Sequence, residues 1–217
     1  MPNICPLCQS TEISRFHTDK TREYWQCKEC HLVFVPEEFH LSLAAQKIRY
    51  DLHQNDPRDP GYRAFLENLI EPLAARLKPN SAGLDFGAGP TAALAQLLAA
   101  RGFQMVSFDP IYLNRREALN AQYDFVTCCE TAEHFTRPHE DWHCLFRLVR
   151  KHGWLGVMTA LLGAEADFPQ WHYRTDPTHV CFYSLQTMVW LARRYRAALH
   201  VISPRVVLFQ QTIAPVK

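Results

Sequence analysis

Four cysteines open the chain in two pairs, Cys5 and Cys8 in "CPLC" and Cys27 and Cys30 in "CKEC". Eighteen residues separate the pairs. Each C-x2-C step turns tightly enough to offer both thiolates to one ion, and two such knuckles complete a tetrahedral sulfur set suited to Zn2+. Residues 1–36 are short and polar, with the aromatic runs "REYWQC" and "LVFVP". A unit of this size buries too little apolar surface to fold without a staple. Zinc supplies one, contributing roughly 10–16 kcal/mol in small peptides. The expectation is a zinc ribbon whose role is either a folding cap or a grip on substrate. Lys20, Arg22 and Lys28 lie inside it, too few to mark a nucleic-acid face. Cys128, Cys129, Cys144 and Cys181 are scattered through apolar segments, and Cys128 and Cys129 read as buried thiols rather than nucleophiles.

A second constellation lies in "GLDFGAGPTAALAQLLAARGFQMVSFDP", residues 83–110. It reads as strand, glycine turn, helix, and a second strand ending in Asp109. Glycines let a backbone approach a ligand closely, and the helix that follows points free N–H groups at an anion. Asp109 stands where a carboxylate accepts hydrogen bonds from ribose hydroxyls. Gly87, Gly89 and Ala92 fit the nicotinamide fingerprint G-x-G-x-x-G/A. Asp85, two residues before Gly87, instead fits a D/E-x-G-x-G turn, where an acid receives the ammonium of S-adenosylmethionine, directly or through water.

A third cluster is "WHYRTDPTHVCFY", residues 171–183. It follows the strand "GWLGVMTALL" and so hangs over the carboxyl edge of a sheet, where open α/β folds bind ligands. His172, Tyr173, Asp176 and His179 are the candidate bases or positioning groups, and Arg174 could meet an anion. A hydrogen-bonded lid is the plainer reading. Glu133 and His134 begin a turn and are expected to brace a loop. Tyr50, His53 and Tyr62 are expected to roof the site, or to belong to a plain connector. His139 and His143 have metal-ligand spacing on a helix, but an outer helical face explains them.

These groups need a scaffold. From residue 61 strand and helix patterns alternate, which argues for a parallel sheet with helices on both faces. "ALHVIS" and "RVVLFQQ", split at Pro204, read as a closing antiparallel hairpin. The divisions are a ribbon at 1–36, a connector at 37–60 whose Asp-Pro steps forbid a continuous helix, and a main domain at 61–217. Of 217 residues, 47% are hydrophobic and 21% charged, with net charge +1. That composition is ordinary for a globular protein and gives no global field for nucleic acid. No apolar run approaches a membrane span, and "MPNICPLCQS" lacks a signal pattern. A cytoplasmic location without a disulfide framework is expected.

Residues 60–211 resemble class I S-adenosylmethionine-dependent methyltransferases. "GLDFGAGPT" resembles the first motif, with Thr91 in place of a third glycine. "VSFDP" resembles the second, and "YDFVTCCETAEHF" the fourth strand. "LVRKHGWLGVMT" resembles "LkpGGwl.i.t", with Lys151 and His152 departing from Pro-Gly. "DPTHVCFYSLQTMVWLA" is similar to a segment of the quinol and hydroxybenzoate methylases. The resemblance implies a Rossmann-like seven-stranded sheet, mostly parallel, with its last strand inserted antiparallel. It implies that Gly87, Gly89 and Asp109 touch S-adenosylmethionine with Asp85 close by, and that Cys128, Cys129 and Glu130 face the methyl group. It gives no match for the adenine contact, Tyr123 included. The expected activity is methyl transfer. RNA and a small hydroxylated or aromatic molecule rank level as acceptors, with a protein side chain behind. RNA gains from the ribbon and from Arg193, Arg194 and Arg196. A nicotinamide-dependent oxidoreductase and a non-catalytic zinc-ribbon adaptor are the alternatives. Oligomeric state is not legible.

Overall fold

The computed structural model describes residues 2–52 and 55–212. His53, one of the three expected roof residues, lies outside them. Three short strands follow the first knuckle: β1 (Ile13–Thr18), β2 (Glu23–Cys27) and β3 (Val33–Phe34), each antiparallel to the next. Asp19 shapes the β1–β2 turn by accepting the amides of Thr21 and Arg22. The connector carries a helix, α1 (Leu43–Tyr50), capped by the Ser42 hydroxyl and burying none of its residues. It ends at Tyr50 with Asp51 as its C-cap, before the Asp-Pro steps, and Asp59 then caps α2 (Pro60–Ala74) by accepting the amides of Gly61 and Tyr62. Pro72 lies in the final turn of α2 and does not restart the helix.

Next come β4 (Ala82–Phe86), α3 (Ala93–Ala100), β5 (Gln104–Phe108), β6 (Tyr123–Cys129), α4 (Pro138–Leu148) and β7 (Val149–Met158). A long excursion then leads to β8 (Cys181–Phe182), α5 (Leu185–Tyr195), β9 (Ala197–Val201) and β10 (Val206–Gln211). Ser184 and Thr187 form the capping box that starts α5. The main sheet has the order β5-β4-β6-β7-β10-β9. Its first four strands are parallel, and β10 lies antiparallel between β7 and β9.

Among the described residues this sheet has six strands rather than the expected seven. The absent strand would flank β5. Between Phe108 and Tyr123 the chain forms an Asp109–Leu113 bridge and a 3-10 turn at Arg116–Asn120. A parallel crossover needs about a dozen residues or more before its strand begins, and that span cannot hold both and return.

The cysteine-bearing strands join the rest of the molecule directly. β3 pairs with β8, Val33 opposite Phe182 and Phe34 opposite Cys181, giving a second sheet of order β1-β2-β3-β8. One apolar cluster runs from Leu7, Tyr24 and Phe34 through Phe168 and Phe182 to Trp142 and Phe209. A second lies under α2 and α3 around Leu69, Leu98, Phe125 and Leu208. No helix among the described residues is long and apolar enough to cross a membrane.

Candidate functional site

The glycine turn sits at the carboxyl end of β4. The amides of Gly87 and Ala88 both donate to the Phe108 carbonyl, tying the turn to the end of β5. Gly87 has φ +77°, and a Cβ there would lie 2.2 Å from Thr131 Cγ2. Gly89 has φ +65° with open space where its Cβ would be. Glycine is required at the first position by contact and left-handed backbone together, and favoured at the second by backbone alone. Asp109 binds the turn: its Oδ2 accepts from the Gly89 amide at 2.9 Å, and its Oδ1 from the amides of Ile111 and Tyr112. A carboxylate offers about four lone-pair sites, so one stays open for a hydroxyl.

Asp85 lies beneath the turn. It is 2% exposed and accepts from the Thr127 hydroxyl at 2.8 Å. Burial pushes its carboxyl up to about 6, against the opposing Thr127 hydrogen bond. In this structure the acid expected to meet an ammonium acts from within the protein.

The second half of the site surrounds the end of β6. Cys128 is buried, and burial raises the thiols of both Cys128 and Cys129 well above the ordinary range, so neither is a thiolate. Glu130 has φ +45° and pairs with Arg205 at 3.1 Å. Glu133 is fully buried; its Oε1 accepts the Tyr173 hydroxyl at 2.5 Å, and its Oε2 has no partner. Tyr173 also meets Thr159 Oγ1 at 3.2 Å and Glu130 at 3.5 Å. Burial holds both glutamate carboxyls above their usual values, and the charge of Glu133 adds to it at Glu130.

His134 and His179 stack edge to face beside them, with ring centroids 4.8 Å apart. His134 Nδ1 is 3.1 Å from the Thr178 carbonyl and His179 Nδ1 is 2.6 Å from the Tyr173 carbonyl. Burial, with His134 adding to it, pulls His179 down to about 3, and burial lowers His134 as well. Both rings are therefore neutral near pH 7.

The excursion 171–183 forms the lid, and the structure separates its four candidates. Tyr173 and His179 point into the acid cluster. Asp176 caps Thr178 and pairs with Arg49 of α1 at 3.4 Å, and its charge acts on His134, His179 and Tyr50. Burial would raise it, but the Thr178 hydrogen bonds outweigh burial and bring it to about 2. His172 is exposed and apart from the others. Arg174, expected to meet an anion, is spent on Asp19 at 2.7 Å and on the Phe168 and Pro169 carbonyls.

Two arginines whose role the sequence did not show complete the lid. Arg22, 7% exposed, donates to the carbonyls of Arg174, Asp176, Pro177 and His179. Arg205 supplies the counter-charge of Glu130. Neither belongs to a recognisable motif. Of the expected roof, Tyr50 packs edge-on against His134, and burial, with Asp85 and Glu130 adding to it, raises the Tyr62 phenol. The α1 segment also reaches the loop after β5, where Tyr112 donates to Asp51 at 2.6 Å. His139 is occupied structurally, with Nδ1 2.9 Å from the Leu7 carbonyl of the first knuckle.

At the knuckles, one sulfur from each of Cys5, Cys8, Cys27 and Cys30 lies within 4.8 Å of every other. Cys5 and Cys30 approach to 3.5 Å, and Cys8 and Cys27 to 3.4 Å. A tetrahedron with metal–sulfur bonds of about 2.3 Å has edges slightly below 4 Å, so the donor set and spacing fit such an ion. Hydrogen bonds from Cys30 and Cys5 hold the Cys8 thiol below its ordinary range.

A bare turn bracketed by acids, a lid over the strand ends, and a hairpin inserted antiparallel together define the class. The sequence model of the methyltransferase domain family matches residues 59–197, and the chain belongs to that family. The protein is a methyltransferase. Solved structures with a similar fold include 1,6-didemethyltoxoflavin-N1-methyltransferase of Burkholderia thailandensis, bound to 1,6-didemethyltoxoflavin and S-adenosylhomocysteine. It is 13% identical with TM-score 0.53, over 92% of this chain and 100% of that one. The N-methyltransferase NodS of Bradyrhizobium japonicum WM9, in complex with S-adenosylhomocysteine, is 12% identical with TM-score 0.52, over 77% and 98%. An O-methyltransferase family protein of Burkholderia thailandensis is 16% identical with TM-score 0.51, over 77% and 63%. No curated protein matches the sequence.

Proposed function

We propose that the chain transfers the methyl group of S-adenosylmethionine to a small hydroxylated or aromatic acceptor, under a lid held by a zinc ribbon. The observation that carries this reading is the Gly87–Gly89 turn locked to Asp109 at the strand ends. Gly87 and Gly89 would give the cofactor bare backbone, and Asp109 would accept a ribose hydroxyl with its open lone pair. Asp85 would stabilise the turn and act on the ammonium only through intervening atoms. Cys129 and Glu130 stand at the end of β6, toward the methyl group. The bound cofactor supplies an electrophilic methyl on a sulfonium leaving group. The protein then has to align the acceptor and exclude water, and alignment alone is worth roughly 7–11 kcal/mol.

Among the proposed candidates, His179 lies inside the site with its Nδ1 against the Tyr173 carbonyl, which suits it to positioning. Tyr173 is poorly suited to give up its proton, since burial and Glu133 raise its phenol. Zn2+ on Cys5, Cys8, Cys27 and Cys30 would be structural, closing the knuckle against α4 and supporting the strands that join β8.

Small acceptors are favoured over RNA by where the cations lie. Arg193, Arg194 and Arg196 end α5 just before β9 begins, at the edge of the sheet away from the glycine turn. Arg22 is buried among carbonyls. Calorimetric titration with S-adenosylmethionine, S-adenosylhomocysteine and NADH tests the cofactor, and a labelled methyl group followed into fractionated extract tests the acceptor. Binding of NADH alone would overturn the reading. Sulfonium binding without labelled product would point to the adaptor, and label in RNA would move the acceptor.

A further inference from the structure

Glu133, His134 and His179 form a second set of metal donors, far in sequence from the cysteines. One carboxylate oxygen and one ring nitrogen from each histidine lie within 4.8 Å of one another. Three independent features prepare them. Each imidazole has its Nδ1 against a backbone carbonyl, Thr178 for His134 and Tyr173 for His179. That bond fixes the tautomer with the proton on Nδ1 and leaves Nε2 as the lone-pair nitrogen, the arrangement that orients histidine ligands. Glu133 Oε2 is buried without any hydrogen-bond partner, although Oε1 is bonded to Tyr173. An orphaned buried carboxylate oxygen is costly unless something neutralises it. Glu130 adds a second buried carboxylate one tyrosine hydroxyl away, and Arg205 is the one cation in contact with that pair among the described residues. Arg205 balances Glu130, and a bound cation could take the place of the proton that burial otherwise holds on this pair.

We infer that Glu133, His134 and His179 hold a divalent transition-metal ion with open positions that accept oxygen donors. Two imidazoles and one carboxylate suit Zn2+, Fe2+, Co2+ or Mn2+, and three protein ligands leave room for water or a ligand. Tyr50 of α1 packs edge-on against His134. The acceptor class that follows is a hydroxyl- or carbonyl-bearing molecule able to bind the ion through oxygen, because bound oxygen loses its proton more readily. This acceptor assignment rests on the methyl-transfer reading; ion binding does not.

Mn2+ distinguishes this site from the cysteines, since thiolate sets select softer ions. The test is a Mn2+ titration of the zinc-loaded full chain, followed by electron paramagnetic resonance, beside calorimetric S-adenosylhomocysteine binding. One Mn2+ per chain is expected to bind, with a spectrum that shifts when a catechol is added. His134→Ala tests a half-buried ligand with little risk to folding, and His179→Ala tests a buried one. Each folded variant should lose affinity by more than the roughly 10–100-fold typical of removing an outer-shell partner. Absence of saturable Mn2+, Co2+ or further Zn2+ binding to the folded wild type would overturn the inference, as would His134→Ala binding as tightly as wild type. Mn2+ binding without S-adenosylhomocysteine binding would keep the metal site and sink the methyl-transfer reading instead.

Discussion

Arg22 Nη1 lies 3.0 Å from the carbonyl oxygen of His179, so a side chain of the cysteine module fixes the backbone of a residue in the site. The same guanidinium binds three more lid carbonyls and the Tyr24 hydroxyl. Replacing Arg22 with Met keeps much of its bulk and leaves those carbonyls unpaired inside the protein. Hydrogen bonds to charged groups are each worth about 1.5–3 kcal/mol. Arg22→Met should lower stability by on the order of 3 kcal/mol in denaturant unfolding, and raise the acceptor KM more than the cofactor Kd. Equal stability would mean that the lid holds itself.

The cysteines should act at a distance through β3 and β8. Cys27→Ser is expected to lower stability by at least about 3 kcal/mol. It should also speed amide exchange at residues 172–183, by about tenfold or more. Exchange that rises only within residues 1–36 would show the ribbon to be uncoupled from the lid.

Gly87 and Gly89 are separable. Gly87→Ala drives a methyl into Thr131 and strains a left-handed backbone; a loss of about 3 kcal/mol or more is expected in thermal unfolding. Gly89→Ala meets nothing in the protein, so about 1 kcal/mol of strain should be its only stability cost. Its larger effect should be weaker S-adenosylmethionine binding by calorimetry. Unchanged binding would place the cofactor elsewhere.

Burial, opposed by the Thr127 hydrogen bond, holds Asp85 at about 6, above its unfolded value of 3.8. The folded state therefore keeps a proton that the unfolded state has lost. This contribution is fully present below pH 3.8 and disappears as pH rises through 6. Comparing wild type with Asp85→Asn across this window, the stability difference should move against wild type by on the order of 3 kcal/mol and level off above pH 6. A flat difference would show that Asp85 titrates normally.

Local chemistry was legible in the sequence, and long-range closure was not. The C-x2-C spacings identified the sulfur set, and the "DFGAGPT" turn and Asp109 were read from glycine and strand patterns. The seventh strand was inherited from resemblance, whereas the span from Phe108 to Tyr123 has no room for it. Arg22 and Arg205 bond to residues far along the chain, and no periodicity marks such partners. His172 and His179 look alike within one polar loop, yet only the fold turns His179 inward. Glu133 and His134 were read as a brace; their proximity to His179 depends on β8 drawing the lid down.

The β3–β8 ladder also dictates an order of events during synthesis. Val33 emerges from the ribosome about 150 residues ahead of its partner Phe182, a long separation for strand pairing. Until then the nascent knuckles have no edge to dock on, and a coordinated ion is what would keep those sulfurs together while the rest is translated. Cellular zinc supply during elongation, rather than after release, would then set how much chain reaches the native state.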